Sequence, residues 1–208
     1  MDKTREYWKH VLLESLYEAS PFNGSDLDDG FPSSLLDDKE FMLSVLADNG
    51  MGICFASKRL KDDEDIAYAA IKEWGPAFDF ISPRLKKNRE IVLLAIKEKG
   101  YGQALEFADS SLNDNKEIVL EAIKHYMYAL KFASSRLQDD EEIVLIALSH
   151  NGGNLQYASK RLKGDKNIVT SAINNGGLYA LSFAAPELKE NPALIELAKK
   201  WEEENIPF

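Results

Sequence analysis

Leu112, Asn113, Asp114, Asn115, Lys116, Glu117, Ile118, Val119, Leu120, Glu121, Ala122, Ile123 and Lys124 form a phrase that returns every 25 to 27 residues between Leu35 and Leu188. Three positions after the leucines Leu35, Leu60, Leu85, Leu112, Leu137, Leu162 and Leu188 stand Asp38, Asp63, Asn88, Asn115, Asp140, Asp165 and Asn191. A side-chain oxygen at that place accepts from the free N–H groups of a helix's first turn, so the column predicts a helix start in every copy. Pro192, directly after Asn191, is tolerated there because the first helical residue has no N–H partner to lose.

Six residues after each leucine come Phe41, Ile66, Ile91, Ile118, Ile143, Ile168 and Leu194, and ten after come Val45, Ala70, Ala95, Ala122, Ala147, Ala172 and Ala198. Positions six, seven, ten and eleven make one apolar stripe at helical spacing, and the alanines admit a neighbouring helix closely. This predicts a helix A of about ten residues. Fifteen residues after the leucine, Gly50, Gly75, Gly100, Gly152 and Gly177 are expected in the left-handed conformation that ends a helix, with Met127 in that place in the fourth copy. A second apolar segment follows, carrying Phe55, Phe80, Phe107, Phe132, Tyr157 and Phe183, whose rings are expected to fill the interior. Two residues before them lie Ile53, Phe78, Leu105, Leu130, Leu155 and Leu181. Helix B is expected to be short and partly 3₁₀. A single hairpin of this kind cannot bury both faces, whereas a stack can.

The predicted fold is therefore all-α: a right-handed α-solenoid of stacked short helical hairpins with repeats of about 25 residues. One domain is expected over residues 1–208, with an N-terminal capping helix and acidic loop in 1–34, six repeats in 35–190 and a C-terminal capping helix in 191–208. In the first helix Trp8, Val11, Leu12, Leu16 and Ala19 share a side. In the last, Lys199, Lys200, Glu202, Glu203 and Glu204 occupy the outward register, as a terminal repeat requires, and Ile206 to Phe208 are expected to fold back or fray.

The phrase in residues 114–137, with its capped Lys-Glu-Ile-Val-Leu start, its Ala-Leu-Lys-Phe-Ala-Ser segment and its closing leucine, resembles the repeat family catalogued as domain of unknown function 4116. The resemblance covers roughly residues 35–198, with insertions of two residues between Leu85 and Leu112 and one between Leu162 and Leu188. The family name carries no activity. That similar repeats occur in multi-repeat proteins of bacteria, protists and large viruses, some associated with host-directed effectors, implies protein interaction by analogy. A leucine-rich horseshoe has a similar period but needs an alternating-leucine strand, which this repeat lacks.

Composition narrows the function. The net charge of −10 is concentrated at the ends: residues 1–40 hold ten acids against four bases, residues 190–208 hold five against two, and residues 41–189 hold twenty against nineteen. An acidic chain makes a poor general binder of phosphate backbones, so nucleic acid is not the expected partner. No apolar run approaches a membrane span, and the first twenty residues carry charges throughout where a secretory signal would be apolar. The single cysteine, Cys54, excludes an internal disulfide. A cytoplasmic monomer is expected, or one in a host cytosol if the protein is a secreted effector without a signal.

Candidate residues are those that depart from the repeat's own rule. Trp74 and Tyr126 stand before the A-to-B turn where Asn49, Lys99, Asn151 and Gly176 suffice elsewhere, and Tyr101 lies in the lengthened turn. With Glu73, Glu98 and His125 they mark a partner-binding edge, since Trp and Tyr are the usual interface anchors; the competing role is to fold over their own turns and shield the core. Arg59, Arg84, Arg136 and Arg161, each just before an anchor leucine, form a secondary anion edge, opposed by local salt bridging to the acids around them. His125 and His150 share a register, but two imidazoles are too few for a zinc site. Asp26, Asp28, Asp29 and Gly30 have the look of a calcium loop, yet counting back from the glycine places Ser25 and Leu27 at the first and third ligand positions. Cys54 has no histidine in its own part of the stack, and no phosphate loop or nucleophile elbow is present. No catalytic residue, cofactor or metal is predicted. The expected function is a non-enzymatic scaffold that binds a partner protein, as an effector or inhibitor; the alternative is an acidic nucleic-acid mimic that blocks a basic enzyme.

Overall fold

A computed structural model of the chain describes residues 3–18, 30–97 and 101–205; every regular element among them is helical. The α-helices are α1 (Lys3–Glu18), α2 (Lys39–Leu46), α3 (Glu64–Glu73), α4 (Arg89–Lys97), α5 (Ala104–Phe107), α6 (Lys116–His125), α7 (Glu141–His150), α8 (Lys160–Lys163), α9 (Lys166–Ile173), α10 (Gly177–Leu181), α11 (Pro186–Lys189) and α12 (Pro192–Asn205). Short 3₁₀ segments fill much of the rest. The chain forms two compact units, Met1–Asp109 and Ser110–Phe208.

Helix A starts where the caps put it. Asp38, Asp63, Asn88, Asn115, Asp140, Asp165 and Asn191 each accept from backbone N–H groups of the first turn. Below the cap the predicted stripe is buried: Ile118, Val119, Ala122 and Ile123 on α6, and Ile66, Ala67, Ala70 and Ile71 on α3. Full burial of each isoleucine or valine stabilises the fold by about 1.5–3 kcal/mol.

The repeat has three helical parts rather than the two of a hairpin. After helix A and a B segment, such as Gly75–Phe80 or Gly152–Tyr157, the chain makes one further turn that carries the anchor leucine, as in Leu60–Asp62, Leu85–Lys87 and Leu137–Asp139. The hydroxyls of Ser57, Ser82, Ser134 and Ser159 accept from the N–H of Leu60, Leu85, Leu137 and Leu162, which nucleates that turn and drives the leucine into the core. Three residues of local capping leave no apolar period in the sequence, so the turn is invisible there.

Successive copies are joined by one recurrent backbone bond. In the first unit Ser57, Ser82 and Asp109 donate to the carbonyls of Leu36, Lys61 and Lys86; in the second Ser134, Ser159 and Ala185 donate to those of Asn113, Gln138 and Lys163. Helices A pack in sequence, α2 on α3 on α4 in the first unit and α6 on α7 on α9 on α12 in the second.

The glycine and ring columns depart from expectation. Left-handed glycines were to end helix A, but among the described residues only Gly177 has positive φ, at 51°. Gly50 and Gly152 instead open the B segment, where the end of the next helix A presses on them. A Cβ on Gly50 would lie 2.5 Å from the Ala70 carbonyl oxygen and 2.9 Å from Trp74 N. Gly100 lies outside the described residues. The rings of the Phe55 column were to fill the interior, yet Phe55, Phe80, Phe132, Tyr157 and Phe183 are half-buried and Phe107 is 41% exposed. The core is built by the column two residues earlier, Ile53, Phe78, Leu105, Leu130, Leu155 and Leu181. Side chains two residues apart on a helix point more than about 100° apart, whether the B segment is 3₁₀ or α, so only one of the two columns can point inward.

Each unit carries a further helix packed on one of its helices A. In the first unit α1 packs on α2 through Leu12 and Leu16, while Trp8 meets Phe31 edge-on, Arg5 pairs with Asp38, and Lys9 pairs with Asp48 at 2.7 Å. In the second, α12 keeps Leu194 and Ala198 buried against α9 and turns Lys199 and Lys200 outward. Glu202, expected on the outer register, faces inward and accepts from the N–H of Leu178, and Trp201 Nε1 donates to the Asn174 carbonyl. Residues 19–29 and 206–208, with the acidic loop up to Asp29 and the C-terminal tail, lie outside the described residues.

Candidate functional site

The turn-edge aromatics divide between the two units. In the first, Trp74 ends α3 and stacks on Phe80 of its own B segment, with ring centroids 5.8 Å apart and planes 28° apart. Its backbone lies against Gly50, so the residue also closes the turn of the preceding copy. Tyr101 is half-buried, and its hydroxyl donates to the Asp79 carboxylate, 2.9 Å from both oxygens. Burial pushes the Tyr101 phenol up, and the Asp79 carboxylate it contacts adds to the rise. Burial also raises the Asp79 carboxyl, against the pull of the Tyr101 hydroxyl and the Lys86 charge. Glu73 is exposed one residue before Trp74; Glu98 lies outside the described residues.

In the second unit Tyr126 repeats the arrangement, stacked on Phe132 at 6.3 Å and 17°. It does not stand alone. Tyr126 meets Tyr128 edge-on at 5.9 Å, Tyr128 meets Tyr157 at 6.4 Å, and Tyr179, 55% exposed, meets Phe183 at 5.0 Å. His125 is exposed beside them, its Nε2 3.5 Å from Glu121. Tyr128 and Tyr179 are missing from the sequence reading: they sit in turn columns where side chains vary freely, and only the fold shows them beside the Tyr157 ring column.

Each ring therefore covers its own turn and still offers an edge to solvent. Lys61, Lys86 and Lys163 reach back to the carbonyls of Cys54, Asp79 and Gln156 at 2.7, 2.8 and 2.6 Å, capping the B segments, and Gln138 does so from its amide. Burial lowers all three lysines below the usual ammonium range. A cation at the carboxyl end of a short helix satisfies carbonyls that have no N–H partner.

The arginine edge is built as an internal staple. Nε of Arg59, Arg84, Arg136 and Arg161 donates at 3.0 Å to Asp37, Asp62, Asp114 and Asp139 of the preceding copy, and Nη2 donates to the same aspartate's backbone carbonyl. Ser57, Ser82, Ser134 and Ser159 donate to those carboxylates as well. The serine hydroxyl first, and the guanidinium with it, hold the four aspartates below the usual carboxylate range. The charge of each arginine is thus answered within its own unit.

The remaining candidates stay apart. The Cys54 thiol is pushed up to about 11 by burial, the Lys61 charge pulling the other way, which is the reverse of an activated nucleophile. His125 and His150 are both exposed, and among the described residues no three His, Cys, Asp or Glu side chains are grouped to hold a metal. One polar residue that the sequence reading passes over is fully buried. The Asn154 amide nitrogen donates to the carbonyls of Met127, Ala147 and Asn151 at 2.7, 2.9 and 3.1 Å. It stands where other copies carry Gly52, Ala77, Ala104, Ala129 and Ala180, and it bridges the copy whose glycine is replaced by Met127.

No curated protein and no solved structure matches the chain. A family model does, that of a domain of unknown function, DUF4116, in four overlapping segments at residues 38–86, 63–101, 88–138 and 140–189. Those segments take in most of the capped helices, B segments and anchor turns described above, and the chain belongs to the DUF4116 family.

Proposed function

We propose that this chain is a non-enzymatic helical-repeat scaffold, a right-handed α-solenoid, whose aromatic turn edge binds a partner protein. The observation that carries the reading is the division of labour among its side chains. The repeated polar groups are consumed by the stack itself: caps on helix A, serine and arginine on the preceding aspartate, lysine on the B segment. What remains for a partner is a set of half-exposed rings, Trp74 in one unit and Tyr126, Tyr128 and Tyr179 in the other, of the types that dominate binding energy at interfaces. The recurrent joint between copies supports the solenoid, because each copy meets its neighbours in one way. An effector or inhibitor acting in the cytosol as a monomer is consistent with this design.

The test is affinity capture with the intact chain, followed by measurement with the partner so identified. Trp74→Ala combined with Tyr126→Ala is expected to lose more than about 2 kcal/mol of partner affinity with the helical content unchanged. If binding survives and the protein instead loses stability, the rings serve only the core. The nucleic-acid mimic is the second reading, favoured by the net charge of −10. It requires a basic partner held through the acidic ends, whose affinity falls steeply with salt and is unchanged by Trp74→Ala combined with Tyr126→Ala. The anion edge receives less support, since a phosphate would have to displace Asp37, Asp62, Asp114 or Asp139 from its arginine.

A further inference from the structure

Eight residues after the first six anchor leucines, on the solvent side of helix A, stand Leu43, Tyr68, Leu93, Leu120, Leu145 and Thr170. Tyr68 is the one aromatic in the column. Its ring is 54% exposed, and it has no hydrogen bond or ring contact among the described residues. The stack does not need it, since leucine serves in four sister copies. The ring borders a cleft of about 230 Å³ between α3 and α4, whose other walls are Glu64, Asp65, Asn88, Glu90 and Ile91. Two cations serve the carboxylates here: Lys39 pairs with Asp63 and Asp65, and Arg84 with Asp62 and Glu64. Glu90 has no ion pair among the described residues. The cleft therefore joins an exposed aromatic face to one carboxylate, that of Glu90, that has no ion pair among the described residues.

We propose that the Tyr68 cleft receives an arginine side chain from a basic segment of the partner protein. This rests on the reading of the chain as a protein-binding scaffold and adds the partner's chemistry to it. A guanidinium is planar, stacks on a tyrosine face, and presents several N–H donors to flanking carboxylates such as Glu90. A neutral side chain of the same shape, such as citrulline, keeps the stacking and some N–H donors but loses the charge that strengthens them. An apolar anchor would have to lie among Glu64, Asp65 and Glu90 and strip water from them.

The experiment is a titration of the isotope-labelled intact protein with a blocked arginine-glycine pentapeptide, followed by backbone amide shifts, beside the same peptide with citrulline for arginine. The expected result is saturable shifts centred on Tyr68, Asn88 and Glu90 with the arginine peptide, and binding weaker by at least about threefold with citrulline. Tyr68→Leu, which installs the residue of the sister copies, is expected to weaken arginine binding by about threefold or more while leaving the fold intact. Glu90→Gln, remote from the core, is expected to weaken it as well. Equal binding of the two peptides, or shifts spread over all acidic residues and indifferent to Tyr68→Leu, would overturn the proposal. Neither outcome touches the aromatic turn edge, whose own test is the Trp74 and Tyr126 double variant.

Discussion

Replacing Gly50 by alanine tests why the repeat carries a glycine after helix A. The backbone there lies outside the left-handed region, so alanine is conformationally permitted and would by itself stabilise the protein by about 0.4–1 kcal/mol through the unfolded chain. The new Cβ, however, would sit 2.5 Å from the Ala70 carbonyl oxygen and 2.9 Å from Trp74 N and Trp74 Cβ. The obstacle is backbone at the end of α3, which is held by the Trp74 N–H donating to Ala70 at 2.8 Å. Relief requires that end to shift by several tenths of an ångström, an overpacking cost of about 1–3 kcal/mol. The net expectation is a loss of about 1–2 kcal/mol, or roughly 2–8 °C in Tm, read by far-UV circular dichroism during thermal and urea unfolding. Asparagine at the same place separates the two accounts. It tolerates a left-handed backbone, so a conformational requirement would leave Gly50→Asn close to wild type, whereas crowding makes it at least as harmful as alanine. An unchanged or raised Tm for Gly50→Ala, or a benign Gly50→Asn beside a harmful Gly50→Ala, would refute the reasoning.

Asn154→Ala should cost about 1–3 kcal/mol by leaving the Met127 and Ala147 carbonyls short of a donor. Adding Met127→Gly, which restores the glycine-and-alanine pattern of the sister copies, should recover part of that loss in a double-mutant cycle, and strict additivity would show the two positions to be uncoupled. Removal of residues 191–208 should expose the apolar stripe of α9 and lower both melting temperature and solubility, and unchanged values would mean that α12 is no cap. The staple aspartates predict a pH signature. Asp139 is held below its ordinary value of 3.8, so its contribution is complete above that pH and disappears as the pH falls through the lower folded-state value. Wild type should therefore exceed Ser159→Ala in urea midpoint at neutral pH, with the gap narrowing below about pH 3.8 to the part that the Ser159 cap on Leu162 contributes; a gap of constant size across that range would remove the Asp139 pairing as a cause.

Local chemistry is legible in the chain before it folds. A cap acts across three residues, and an apolar stripe across two turns, so the starts of α2, α3, α6, α7 and α9, and the burial of their stripes, follow from spacing alone. The column departures at Trp74 and Tyr126 were legible for the same reason, because the repeat supplies its own standard of comparison. The remaining roles depend on contacts with the neighbouring copy, some twenty residues away. Gly50 looks like a helix terminator until Ala70 and Trp74 are seen pressing on it. Arg84 looks like a free cation until Asp62 is placed beside it, and the Phe55 column looks like core until packing against the next copy selects the column two residues earlier. Glycine, arginine and phenylalanine each answer several physical needs with the same side chain, and the neighbour brought up by folding selects the one that applies.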